Sequence, residues 1–236
     1  FYNRPFKAVN RYDFSKYLVP EGYYKAKLFI KKNVINTKIL HPASPGSIYH
    51  LTKAQDELLF QFYQRMHGLK ITDLHQGVVW GTNTDETKMH KKLFNRYDYD
   101  GDYGTVLNRF IMHGTGNQVR PFININNTAD CILLAAQNKK KFDEVKIFNQ
   151  LTETHSLINL ANKIKKITGC KINHQKNPRI ESEDNTLIAK PMGLIELGLK
   201  PIYLSDKLIK TEIEIAKMFE KRVDKKKIIA KSQWKI

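Results

Sequence analysis

Ser47–Gly81 reads SIYHLTKAQDELLFQFYQRMHGLKITDLHQGVVWG, and its pattern decides the fold. Leu51, Ala54, Leu58, Phe62 and Met66 recur at helical spacing, which predicts a helix that Gly68 would end. Leu69, Ile71 and the residues to Leu74 then read as a strand, leading into a loop from His75 to Gly81. Helix, short glycine turn, strand and a loop at the strand's carboxyl end make up α/β grammar. Ligands in such sheets sit just beyond the carboxyl ends of the strands, and Gln76 is expected there. Tyr49 and Lys53 stand four apart at the helix start, on one face and one turn apart. A lysine ammonium beside a phenol favours the phenolate, which can take a proton from a bound hydroxyl near neutral pH. A solvated helix face carries the same Tyr-x-x-x-Lys spacing, so the pair has to be read with its neighbours.

The chain has 236 residues, enough for one large domain or two small ones with a sizeable core. Hydrophobic residues make up 41%, and no run approaches the roughly 18 apolar residues of a membrane span. The formal net charge of +17 raises nucleic acid as a partner class. The lysines, however, are spread in short runs such as 139–141 and 225–227 with no aromatic-basic motif around them. The reading is therefore a protein with no nucleic-acid and no membrane partner. Cys131 and Cys170 lie far apart, form no metal-type pair, and read as two buried thiols in a reducing compartment. The histidines show no zinc-ligand spacing, so no metal is expected.

Outward from the opening stretch, 25–30 and 34–40 read as two strands of a hairpin. Thr82–Gly104 is a long polar insertion. Asp98, Asp100 and Asp102 invite a calcium-loop reading, but the sixth and twelfth positions from Asp98 hold Tyr103 and Arg109 in place of glycine and glutamate. The calcium loop fails. Thr105–Met112 begins a short helix, and Arg120–Asn126 reads as a strand with Ile123 and Ile125 on one face. Ala129, Ile132, Leu133 and Ala136 form a helix stripe, and Val145–Asn149 is a further strand. Leu157, Leu160, Ala161 and Ile164 mark another amphipathic helix, capped by Ser156. Leu204–Val223 reads as a long terminal helix. Strands alternating with helices predict one α/β unit with a smaller α+β lobe.

Several ordered motifs carry a resemblance: YHLTK at 49–53, TDLHQGVVWG at 72–81, TDETKMH at 84–90 and DYDGDYGTVLNRF at 98–110. FNQLTE at 148–153, NPR at 177–179, ELGL at 196–199 and RVD at 222–224 continue it in order. With these the chain resembles the UDP-sulfoquinovose synthases, a group of extended short-chain dehydrogenase/reductases within the NAD-dependent epimerase/dehydratase family. The resemblance runs over residues 46 to 236, and the polar insertion is its specific part. It implies an NAD(P)-binding Rossmann-type fold with a smaller α+β substrate-binding lobe. Residues 1–81 would be the C-terminal part of the NAD-binding domain. Residues 82–236 would be mainly the UDP-sugar lobe, with 121–149 returning to the Rossmann sheet.

The resemblance further implies NAD as cofactor and UDP-glucose and sulfite, or a sulfite-donating protein, as reaction partners. Tyr49 would accept the 4-hydroxyl proton during oxidation at C4. Lys53 would support the tyrosine and hold the nicotinamide ribose, and His50 would assist around C6. Loss of water across C5 and C6, sulfite addition at C6 and re-reduction at C4 would follow. Gln76 and the segment Val106, Leu107, Asn108 and Arg109 match substrate contacts, and Val79 matches a position lining the nicotinamide site. Arg120 and Arg179 match arginines that pair with the diphosphate, a role suited to the guanidinium fork. A homodimer in the cytoplasm, or in the plastid stroma of a photosynthetic eukaryote, is implied as well.

Three departures qualify the resemblance. No Gly-x-x-Gly-x-x-Gly turn occurs to cradle a pyrophosphate, no Thr-Met-Gly-type segment precedes Tyr49, and the connection at 110–113 is short. The expectation is that N-terminal strands of the domain lie outside this chain. Two other readings stay open: an epimerase or dehydratase acting on another nucleotide sugar, and a non-catalytic remnant or basic binding protein.

Overall fold

The computed structural model describes residues 23–30, 33–40, 45–94, 97–101, 104–112, 119–138, 143–172 and 189–228. By packing, the chain divides into two units, 1–56 and 57–236. In the first, β1 (Tyr23–Ile30) and β2 (Asn33–Leu40) pair antiparallel, with Tyr23 opposite Leu40 and Ile30 opposite Asn33. Helix α1 (Ile48–His67) begins in this unit and ends in the next. It stops where the sequence indicates: Gly68 takes φ 63° and donates its N–H to the Gln64 carbonyl at 2.9 Å. A residue without a Cβ adopts that left-handed turn at no steric cost.

The 57–236 unit is built on parallel strand pairs. β3 (Thr72–Gln76) pairs parallel with β6 (Lys146–Gln150). β4 (Val78–Trp80) pairs parallel with β5 (Val119–Asn124), which pairs antiparallel with β7 (Glu153–Ser156). The expected loop at 75–81 is thus two strands with Gly77 between them. The Gly77 N–H donates to the Gln150 carbonyl at 2.8 Å. A Cβ at Gly77 would sit 3.0 Å from the Pro121 carbonyl oxygen, so a side chain there would require the β5 backbone to give by a few tenths of an ångström.

Among the described residues, the α-helices of this unit after α1 are α2 (Asp85–Lys88), α3 (Val106–Met112), α4 (Ile125–Gln137), α5 (Leu157–Thr168), α6 (Met192–Glu196) and α7 (Asp206–Met218). Two cores lie on opposite sides of β5. Phe122 joins Trp80, Leu107, Leu157, Leu160, Ala161, Ile164, Leu204 and Ile209. Its neighbour Ile123 joins Cys131, Phe148, Leu194 and Leu199. Successive strand residues point to opposite faces, so β5 is covered on both sides, as a strand in an α/β sheet should be.

Four further sequence expectations change. β5 ends at Asn124, whose side chain caps α4 by accepting from the Asn126 N–H at 3.0 Å, so Ile125 belongs to the helix. The stripe Ala129, Ile132, Leu133 and Ala136 on α4 is exposed, and the buried face carries Asn127 and Cys131. Ile132 and Ala136 instead line, with Ile71 and Leu74, a cavity of about 350 Å³. Cys170 is exposed, while Cys131 is buried and its thiol is pushed up to about 11 by burial and by the adjacent Asp130. The terminal helix is shorter than expected; after Met218 the chain continues in two 3₁₀ turns, Glu220–Arg222 and Lys225–Lys227. By contrast, the stripe Leu157, Leu160, Ala161 and Ile164 is the buried face of α5, and Ser156 caps it.

Candidate functional site

Ser47 starts α1 and organises its first turn. The Ser47 hydroxyl accepts from the His50 N–H at 3.3 Å and lies 2.9 Å from His50 Nδ1. That is an N-cap, one of the local side-chain bonds that satisfy a helix's unpaired N–H groups. With this turn fixed, Tyr49, His50 and Lys53 are presented together. The Tyr49 and His50 ring centroids are 5.7 Å apart, and Lys53 Nζ lies 6.0 Å from the Tyr49 ring centroid. Tyr49 is 62% exposed, so its hydroxyl is open to a ligand. Lys53 Nζ rests 3.3 Å from Asp56 Oδ2 in a solvent-exposed pair. Exposed pairs contribute about 0.2–1 kcal/mol, so a ligand oxygen can displace the carboxylate at little cost. Sequence reasoning missed Ser47, although a serine three residues before His50 at a helix start was the available signal.

In the 57–236 unit, Gln76 is the exposed last residue of β3, opposite Gln150 in the ladder. Val79 in β4 packs against the Ile123 core. On α3, Leu107 is fully buried and Val106 packs beside it. Asn108 Nδ2 donates to the Asp98 carbonyl at 3.0 Å, and Arg109 Nε donates to the Ile228 carbonyl at 3.1 Å. Arg120 is half-buried in β5 and its Nη1 donates to the Val119 carbonyl at 3.1 Å. Arg179 lies outside the described residues.

Sequence reasoning also missed several buried polar groups on and beside α3 and β4. Trp80 Nε1, the Tyr97 hydroxyl, Thr105 Oγ1 and Asn108 Oδ1 are buried without a hydrogen-bond partner. Each such group typically costs about 1–3 kcal/mol. Glu212 on α7, 5% exposed, accepts from the Thr82 N–H at 3.3 Å and the Thr82 hydroxyl at 3.2 Å. Burial holds the Glu212 carboxyl above the ordinary carboxylate range despite those two bonds. The Tyr97 phenol is raised too, by burial first and then by the nearby Glu212 charge. No local pattern announces the Thr82–Glu212 contact, because the two are 130 residues apart.

Residues 29–149 match the family model described as the NAD dependent epimerase/dehydratase family. The chain belongs to that family. Among family members it is 39% identical to the chloroplastic UDP-sulfoquinovose synthase of Spinacia oleracea, over 92% of this chain and 47% of that protein. It is 29% identical to the UDP-sulfoquinovose synthase of Sulfolobus acidocaldarius, over 97% of this chain and 61% of that protein. The chain thus spans about half the length of the plant relative and under two thirds of the archaeal one. Its fold matches the UDP-glucuronic acid 4-epimerase of Bacillus cereus in complex with UDP-glucuronic acid and NAD. That TM-score is 0.58 at 19% identity, covering 85% of this chain and 60% of that structure.

The family's cofactor fits this chain in part. An open phenol and an ammonium one turn away suit the ribose and nicotinamide end of a dinucleotide. The 236 residues contain no glycine-rich turn for the pyrophosphate.

Proposed function

We propose that this epimerase/dehydratase-family chain works in a UDP-sulfoquinovose synthase, which converts UDP-glucose and sulfite to UDP-sulfoquinovose with NAD. The observation that carries the reading is the Tyr49–Lys53 pair, held on one face of α1 with the ammonium 6.0 Å from the ring. Specificity for a sulfosugar is supported by the 39% identity to the spinach protein of that name. Bound NAD would supply two-electron chemistry at C4 of the sugar, used once forwards and once in reverse. Tyr49 takes the C4 hydroxyl proton and later gives it back, and Lys53 places its positive charge beside that phenol and on the ribose. Between those events the C4 ketone acidifies C5–H, so the C5 proton and the C6 hydroxyl leave as water. His50, next to Tyr49, holds the proton that the departing C6 oxygen needs. Sulfite sulfur then bonds to C6 as a proton returns to C5, which balances the addition.

Gln76 and Val106–Arg109 hold the UDP-sugar in this reading, which rests on their match to the family's substrate contacts. Arg120 and Arg179 hold the diphosphate, and Val79 lines the nicotinamide site. Residues 1–81 act on the NAD side and 82–236 mainly on the UDP-sugar side, with 121–149 returning to the NAD-binding sheet. Sulfite enters directly or from a donor protein, and the enzyme works as a homodimer in the cytoplasm or a plastid stroma. Among the described residues no helix is long and apolar enough to cross a membrane.

Tyr49→Phe tests the assignment. The full-length protein with this change should lose turnover by about 10²-fold or more, the scale of a lost acid–base group. UDP-glucose affinity, read by calorimetry, should stay within about threefold. Undiminished turnover contradicts the role of Tyr49.

A further inference from the structure

We infer that Glu57, Asp73 and His75 form a binding site for a divalent cation of the zinc type. Residues of a strand alternate between its faces, so Asp73 and His75 in β3 share the face opposite Thr72, Leu74 and Gln76. Glu57 reaches the same place from the middle of α1, within the same 57–236 unit. His75 Nε2 lies 3.2 Å from Asp73 Oδ2 and 3.8 Å from Glu57 Oε1. One ligand atom from each of the three residues falls within 4.8 Å of the others. Ligand atoms bound tetrahedrally to zinc at 2.0–2.2 Å stand about 3.4 Å apart, so small side-chain rotations close the set.

Charge supplies a second, independent argument. The chain holds 40 Lys and Arg residues against 23 Asp and Glu. Even so, among the described residues neither Glu57 nor Asp73 pairs with any Lys or Arg, and both turn to the same imidazole. The two carboxylates bring two negative charges to the cluster, which a divalent cation balances. One imidazole nitrogen with two carboxylate oxygens suits zinc-type ions better than calcium or magnesium, which prefer all-oxygen sets. Three protein ligands leave a fourth position for water. The ion has a way in, since the His75 and Glu57 side chains are 42% and 55% exposed. Once bound, it ties the middle of α1 to β3.

Zinc chloride titrated calorimetrically into chelator-stripped full-length protein tests the site, with cobalt(II) absorption reporting tetrahedral coordination. The expected result is one saturable equivalent with a tetrahedral cobalt spectrum. His75→Ala and Glu57→Gln should each weaken binding by about tenfold or more, while His90→Ala, at an exposed histidine elsewhere, leaves it unchanged. Glu57 is solvent-exposed, so Glu57→Gln stays folded and keeps the test decisive if His75→Ala does not. Equal zinc affinity in wild type and Glu57→Gln overturns the proposal, as does an absence of saturable binding.

Discussion

Asn127 uses both ends of its amide to fasten α4 to the segment after α6. Its Nδ2 donates to the Lys200 carbonyl at 3.0 Å, and its Oδ1 accepts from the Ile202 N–H at 2.6 Å. The residue is fully buried, so Asn127→Ala strands a backbone N–H and a carbonyl away from water. A loss of about 2 kcal/mol is expected, read as a fall in Tm of about 4–8 °C. Glu212 acts in the opposite sense. Its carboxyl is raised in the folded protein, so above the unfolded carboxylate pKa the folded state binds more protons than the unfolded one. Stability from this group is complete below that pKa and is lost as pH rises through the folded value. Glu212→Gln should therefore flatten the decline in Tm between acidic and neutral pH and raise Tm at pH 7.5, read by thermal melts across that range. A steeper decline in the variant would contradict this. At this scale the sequence disclosed what was local: Tyr49, His50 and Lys53 share a face because helical geometry alone puts them there. Glu212 and Thr82 were invisible, since only tertiary packing unites them.

Among the elements, α5 and the β1–β2 hairpin were legible, and α1 was legible as a helix although its stripe Leu51, Leu58, Phe62 and Met66 is exposed; α4 shows where periodicity misleads. Its apolar residues Ile132 and Leu133 suggested the wrong face, because hydrogen bonding by Asn127 fixes which side turns inward. A hydrophobicity pattern cannot register a buried amide that is fully paired. The short α6 escaped notice for a different reason: its identity depends on a close approach. A Cβ at Gly193 would lie 2.6 Å from the Phe148 ring, which is itself buried in the core. Gly193→Ala should cost about 1–3 kcal/mol, as overpacking does, and denaturant unfolding would show a lower midpoint with an unchanged slope. An unaltered midpoint would mean that α6 is not pressed on β6 as described.

For the whole molecule, parallel pairing of β3 with β6 and of β4 with β5 gives the sheet grammar of the epimerase/dehydratase family. That fold class was legible because a strand following a helix through one glycine turn has few other solutions. Why two cores lie back to back across β5 was not legible, since Phe122 and Ile123 reveal their separate partners only once α3, α5 and α6 are in place. The proposed activity depends on the Tyr49–Lys53 pair of α1. The most direct measurement incubates the full-length protein with UDP-glucose, sulfite and NAD and resolves the nucleotide sugars by mass spectrometry. The account predicts a sulfonated UDP-hexose that appears only when sulfite is present and disappears in Tyr49→Phe. UDP-galactose formed without dependence on sulfite, or no new nucleotide sugar from folded, NAD-loaded protein, would contradict it.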